Sequence, residues 1–203
     1  PRALATAPPA PLARAVAGAR LHTGIRAIDL FTPLGHGQRV AVMAGSGVGK
    51  STLLAMMASA AAFDVAVIAL VGERGREVRA LLEGPLADCR ERAVTVVATA
   101  DEGAPRRRAA ALTAMTVAEA FRDAGCRVLL VVDSLTRYAH ALREIAIAAG
   151  ELPVARGYPA SLMQALPAYL ERAGSGDRGS ITALVSVLVD GDDRMDPRAA
   201  AAR

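Results

Sequence analysis

The chain has 203 residues, 53% of them hydrophobic and 22% charged, with a formal net charge of +4. This is a globular composition of single-domain length, and it excludes a disordered chain. Its two cysteines, Cys89 and Cys126, have no metal-type spacing and read as free thiols rather than a disulfide framework.

Aromatic residues make up only 3% and Trp is absent, so Ala, Val, Leu and Ile must build the core. The basic balance would suit a nucleic-acid or anionic-membrane partner. The arginines, however, are scattered, and the one run, Arg106–Arg108, reads as the solvated start of a helix. A general arginine bias explains the charge, and no nucleic-acid partner is expected. The same bias spares one position. Of 24 Lys plus Arg, a single residue, Lys50, is lysine. A compact ammonium fits inside a tight ring of backbone amides where a planar guanidinium does not.

Residues 1–20 are rich in Ala, Pro and Arg and read as an extended linker, in a chain that begins partway into a larger protein. A strand is expected over 38–43 (QRVAVM), then a Gly-rich turn and a helix over 50–62. Residues 65–71 (VAVIALV) form a continuous apolar run of the kind buried on both faces of a sheet. A helix over 77–86, a strand over 93–98 and a long helix over 106–124, stopped by Gly125, follow. Next come a strand over 128–133, a helix over 135–149 and a loop carrying Pro153, Gly157 and Pro159. A helix over 161–173, a flexible turn over 174–179 and a strand over 181–189 complete the pattern. Strands alternating with helices predict an α/β fold, with a mainly parallel sheet and helices on both faces. No segment has the ~18 apolar residues of a membrane span, and the N-terminus lacks a signal-peptide layout. A cytoplasmic location is the expectation.

Residues 44–52 (AGSGVGKST) lie between the first strand and the first long helix. That is the context of a Walker A loop, the signature of P-loop nucleotide-binding proteins. Its glycines allow positive φ, so backbone N–H groups can turn inward and, with the helix N-terminus, hold phosphates. The nucleotide-binding set is Gly45, Ser46, Gly47, Val48, Gly49, Lys50, Ser51 and Thr52. Lys50 reaches the β- and γ-phosphates of ATP, and the Ser51 hydroxyl ligates Mg²⁺. Ala44 stands where the strict pattern has Gly, a small departure.

Asp133 ends an apolar strand, as a Walker B carboxylate does, and would hold the Mg²⁺ shell through water. An N-cap role before Leu135 is the other reading of that position. Glu73 follows the strand 65–71 at the same sheet edge. The residues alone leave two readings open there: a carboxylate that orients attacking water, or a solvated Glu in a charged turn.

The segments 23–29 (TGIRAID), 37–54, 69–78 (ALVGERGREV), 132–145 (VDSLTRYAHALREI), 150–161 (GELPVARGYPAS), 166–174 (LPAYLERAG) and 180–193 carry a resemblance over nearly all of residues 8–203. The chain resembles the flagellum-specific and type III secretion ATPases, relatives of the catalytic subunit of rotary ATP synthases. The 72–78 stretch (GERGREV) is similar to the protein-export branch, and 138–144 (YAHALRE) to its alphaproteobacterial flagellar members.

The resemblance implies a RecA-like P-loop fold, with Glu73 as the catalytic carboxylate, assisted by Lys50 and Arg74. It implies that Arg137 lies near the active site or a subunit interface. It implies ATP hydrolysis powering protein export by a homo-hexamer, with stalk and regulator proteins and chaperone–substrate complexes as partners, peripheral to the inner membrane. By the same resemblance, residues 1–20 are a linker from a missing N-terminal β-barrel. Residues 21–203 are then an ATPase domain truncated at its C-terminal end, without the C-terminal helical domain or the arginine finger. Residues 198–203 (RAAAAR) lack an acidic residue expected near Ala200. Two rival readings share the core: an RNA-dependent hexameric helicase of the transcription-termination type, and a non-catalytic nucleotide-binding subunit, which typically lacks the water-positioning Glu.

Overall fold

A computed structural model describes residues 2–45 and 48–188. The elements run β1 (Arg20–Leu21), α1 (Arg26–Phe31), β2 (Leu34–Gly35), β3 (Arg39–Ala44), α2 (Lys50–Ala58), β4 (Val65–Glu73), α3 (Gly75–Glu83), β5 (Ala93–Thr99), α4 (Ala104–Asp123) and β6 (Arg127–Asp133). The chain goes on through α5 (Leu135–Ala148), β7 (Pro153–Ala155), β8 (Tyr158–Pro159), α6 (Ala160–Leu170), β9 (Gly174–Ser175) and β10 (Ser180–Leu188).

Five parallel strands lie in the order β3-β10-β6-β4-β5, and β9 pairs antiparallel with the start of β10. β10, the last strand among the described residues, is thus inserted between β3 and β6. The period of two in each strand divides the core. Val65, Val67, Ala69 and Val71 of β4, with Val128, Leu130 and Val132 of β6, pack against α4, α5 and α6. Ala66, Ile68 and Leu70 of β4, with Leu129 and Val131 of β6, pack against Leu54, Ala55, Met57 and Ala58 of α2 and Val78 of α3. Both faces are covered, as the continuous apolar runs require.

The differences from the sequence reading have identifiable causes, some local and one long-range. The helix expected over 77–86 starts at Gly75 and ends at Glu83. Gly84 precedes Pro85, a position disfavoured in the α region. The helix expected to reach 173 ends at Leu170, and the side chain of Arg172 turns to Glu119. The loop after α5 contains the hairpin β7–β8, whose turn residues Arg156 and Gly157 have φ of 46° and 78°. Two successive positive φ values are what a type I′ turn demands. The turn expected over 174–179 holds β9, closed by Gly176 N–H donating to Gly179 O at 2.8 Å. Residues 2–20 run mainly extended over the domain. Arg172 donates to Leu4 O (2.8 Å), and Gly18 N–H to His36 O (2.7 Å). Val189, at the end of the last expected strand, and residues 198–203 lie outside the described residues.

Candidate active site

The carboxyl ends of β3, β4, β6 and β10 open on one edge of the sheet, and the strand register sets what meets there. Leu70 pairs with Asp133, Val185 with Val132, and Leu188 with Ala44. Asp133 follows Leu129 and Val131 onto the α2 face, and Ser186 follows Leu184 onto the same face. Gly49, at φ 90°, ends the loop after β3 as the N-cap of α2. A side chain is strained in that left-handed conformation, which Gly adopts freely. Lys50 is therefore the first residue of a helix whose N-terminus points at the sheet edge.

Gly72 re-aims β4. It is the extra residue in the β4–β5 ladder, between the pairs Val71–Ala98 and Glu73–Thr99. The bulge takes Glu73 out of the alternation that sends Val71 to the α4 face. Gly72 has φ +71°, and a Cβ there would lie 2.9 Å from Arg137 Cδ. Both the conformation and the close approach require glycine.

These elements enclose a cavity of about 730 Å³ lined by Gly45, Lys50, Ser51, Glu73, Asp133 and Arg137, with Glu77, Val78 and Leu81 on the α3 side. Its volume lies within the usual range for small-molecule sites, roughly 300–1,000 Å³. Lys50 Nζ lies 2.7 Å from Asp133 Oδ1, and Ser186 Oγ donates to the same oxygen at 2.6 Å. Arg137 is fixed at both ends. Its backbone N–H donates to the N-cap Ser134 Oγ at 3.3 Å, and Nη1 donates to Gly72 O.

The Arg137 guanidinium reaches Glu73 less completely. Nε lies 3.3 Å from Glu73 Oε1, yet both atoms are buried without a hydrogen bond. Burial, and then the Asp133 carboxylate, push the Glu73 carboxyl above its ordinary range, against the opposing pull of Arg137 and Lys50.

A buried carboxylate oxygen lacking a donor is unusual in a folded protein. The set fits Mg²⁺ with a nucleotide. The hard oxygens of Ser51 and Asp133, the cation Lys50 and a helix N-terminus face one cavity, as a magnesium-bound polyphosphate needs.

The sequence-named residues separate into three groups. Gly45, Gly49, Lys50, Ser51, Glu73, Asp133 and Arg137 line the cavity. Val48 and Thr52 are exposed beside them, and Arg74 points outward, its side chain 72% exposed and 3.4 Å from Glu77. Ser46 and Gly47 lie outside the described residues. Sequence reasoning missed Glu77 and Ser186. A lone Ser between Val185 and Val187 in a buried strand was the available signal for the second.

The model of the ATP synthase alpha/beta family, nucleotide-binding domain, matches residues 24–203. A flagellum-specific ATP synthase of Rhizobium meliloti (strain 1021) is 57% identical over 204 residues, covering 100% of this chain and 44% of that protein. A solved structure described as a prototypical ATPase from the type III secretion system of pathogenic bacteria superposes with a TM-score of 0.92 at 48% identity, covering 98% of this chain and 58% of that one. The assembled ATPase EscN of enteropathogenic E. coli, in complex with its central stalk EscO, gives a TM-score of 0.85 at 48% identity, covering 93% and 46%. The chain spans less than half the length of the curated relative. These similarities bear out the resemblance to flagellar and type III secretion ATPases and the P-loop fold drawn from the motifs.

Proposed function

This chain belongs to the ATP synthase alpha/beta family as its nucleotide-binding domain, and from that premise we propose that its cavity binds Mg-ATP and that the full-length protein hydrolyses it to power flagellar, type III protein export. The observation that carries the reading is the convergence of Lys50, Ser51, Asp133 and Glu73 on one cavity at the carboxyl edge of the sheet.

Lys50 and the loop amides hold the phosphates. Charge developing on the γ-phosphoryl oxygens is stabilised by preorganised cationic and amide groups. Ser51 and Asp133 would hold Mg²⁺, Asp133 through water, and the ion neutralises charge on the β- and γ-phosphates when bound. Glu73 orients and polarises the attacking water. Its buried oxygen without a hydrogen-bond donor and its raised pKa suit a base. Arg137 steadies the Gly72–Glu73 backbone. Arg74, whose side chain is exposed, would act toward a neighbouring subunit in the assembled protein.

In the full-length protein this domain works as one subunit of a homo-hexameric ring around a stalk protein, cytoplasmic and peripheral to the inner membrane. Regulator proteins and chaperone–substrate complexes are its further partners. The assembled ATPase EscN in complex with its central stalk EscO supports that arrangement. No helix among the described residues is long and apolar enough to cross a membrane.

The test is phosphate release by the full-length protein and its Glu73→Gln variant under saturating Mg-ATP. Loss of turnover with nucleotide binding retained supports the assignment. Undiminished turnover in the variant rules out Glu73 as the water-positioning group.

A further inference from the structure

Asp133 is 2% exposed and accepts two charge-relevant hydrogen bonds on a single oxygen. Lys50 Nζ donates to Oδ1 at 2.7 Å, and Ser186 Oγ donates to the same atom at 2.6 Å. Oδ2 accepts no hydrogen bond from a described residue. Ser186 is fully buried, in a strand whose neighbours Val185 and Val187 face the opposite side of the sheet. β10 runs between the loop strand β3 and the Asp133 strand β6, so its α2-face residues stand between the two halves of the site. The end of that strand is pinned as well, by Leu188 N–H donating to Thr136 Oγ1 at 2.8 Å.

Resting on the Mg-nucleotide reading above, we infer that Ser186 is the positioning residue of Asp133. The two donors on Oδ1 are not equivalent. A phosphate entering the loop draws the Lys50 ammonium, on its flexible four-carbon stem, toward itself and away from the carboxylate. Ser186, fixed in the middle of a parallel sheet, stays. It then holds the Asp133 side chain in one orientation and keeps Oδ2 available to the water shell of Mg²⁺. Hydrogen bonds of this kind to a metal-binding carboxylate, from one step further out, commonly contribute 10–100-fold in metal affinity. A hydroxyl that merely satisfied its own burial would affect folding and leave the metal dependence untouched.

The experiment is calorimetric titration of the protein with ADP, once with Mg²⁺ and once with EDTA, for the unmodified chain and for Ser186→Ala and Ser186→Thr. Unmodified protein is expected to bind ADP more tightly with Mg²⁺. Ser186→Ala should lose about tenfold of that magnesium-dependent gain, with EDTA affinity unchanged, and Ser186→Thr should restore it. Ser186→Thr and Ser186→Val, matched in size and differing in the hydroxyl, carry the same comparison if Ser186→Ala does not fold. An equal magnesium gain in the hydroxyl-bearing and hydroxyl-free variants overturns the inference. An unmodified protein that takes up no ADP overturns the nucleotide reading instead.

Discussion

The two ends of β4 carry the same kind of ion pair and treat it in opposite ways. At the amino end, Asp64 accepts from Arg127 three times: from the backbone N–H at 2.7 Å, from Nη2 at 2.7 Å and from Nε at 3.2 Å. Those donors hold the Asp64 carboxyl below its ordinary range. At the carboxyl end, Glu73 faces Arg137 at 3.3 Å without a hydrogen bond, and its carboxyl is pushed up. The amino end also holds the buried pair of Arg172 with Glu119, at 2.8 and 2.7 Å, completed by Thr116 and Leu4 O. At one edge of the sheet Asp64 and Glu119 are fully paired with arginines. At the other, Glu73 Oε1 has no hydrogen-bond donor, as the nucleotide site proposed above would use.

Mutation should separate the edges. The largest effect is expected from Glu73→Gln, with hydrolysis by the full-length protein falling by roughly 10²–10⁴-fold. The fold itself should gain. A raised folded pKa means that stability tied to Glu73 is present below the ordinary glutamate range and lost as pH rises through the folded value. Glu73→Gln removes that loss, so the variant should melt higher near neutral pH, with the difference closing in acid. Thermal melting across pH checks the sign.

Arg172→Met, at the amino edge, should do the reverse. It strands Glu119 in a buried position and should cost about 3–5 kcal/mol in urea unfolding. Nucleotide affinity of the folded fraction should hold, and a large loss of affinity would break the separation. Gly72→Ala tests the seam between the edges. Its Cβ would meet Arg137 at 2.9 Å with φ at +71°, so about 1–3 kcal/mol of destabilisation is expected, together with slower turnover.

The smallest effect belongs to Asp64→Asn. Asp64 and Arg127 are 43% and 50% exposed, so solvent screening limits the pair to about 1 kcal/mol or less. The sign is opposite to that of Glu73. A depressed pKa contributes stability above the ordinary aspartate range, lost as pH falls through the folded value. The variant should therefore melt lower at neutral pH and match the parent in acid.

The sheet was legible because buried parallel strands leave continuous apolar runs such as 65–71, and the loop because its glycines, lysine and serine sit in a strand–helix junction. Glu73 was half legible. Its position after a strand placed it at the right edge, but the bulge at Gly72 that aims it depends on a contact with Arg137, 65 residues away. Strand order was not legible, since the insertion of β10 between β3 and β6 is a long-range choice. Ser186 therefore could not be matched to Asp133 from sequence, although each strand was expected. The helix ends at 83 and 170 were missed for a local reason at Gly84–Pro85 and a distant one at Arg172.

All of this depends on phosphate recognition by the only lysine in the chain. The direct measurement is calorimetry of Mg-ADP with the unmodified protein and with Lys50→Ala, each verified as folded by its melting transition. The account predicts saturable one-site uptake by the first and loss of it in the second. Equal uptake by both, or none by a folded unmodified protein, would contradict it.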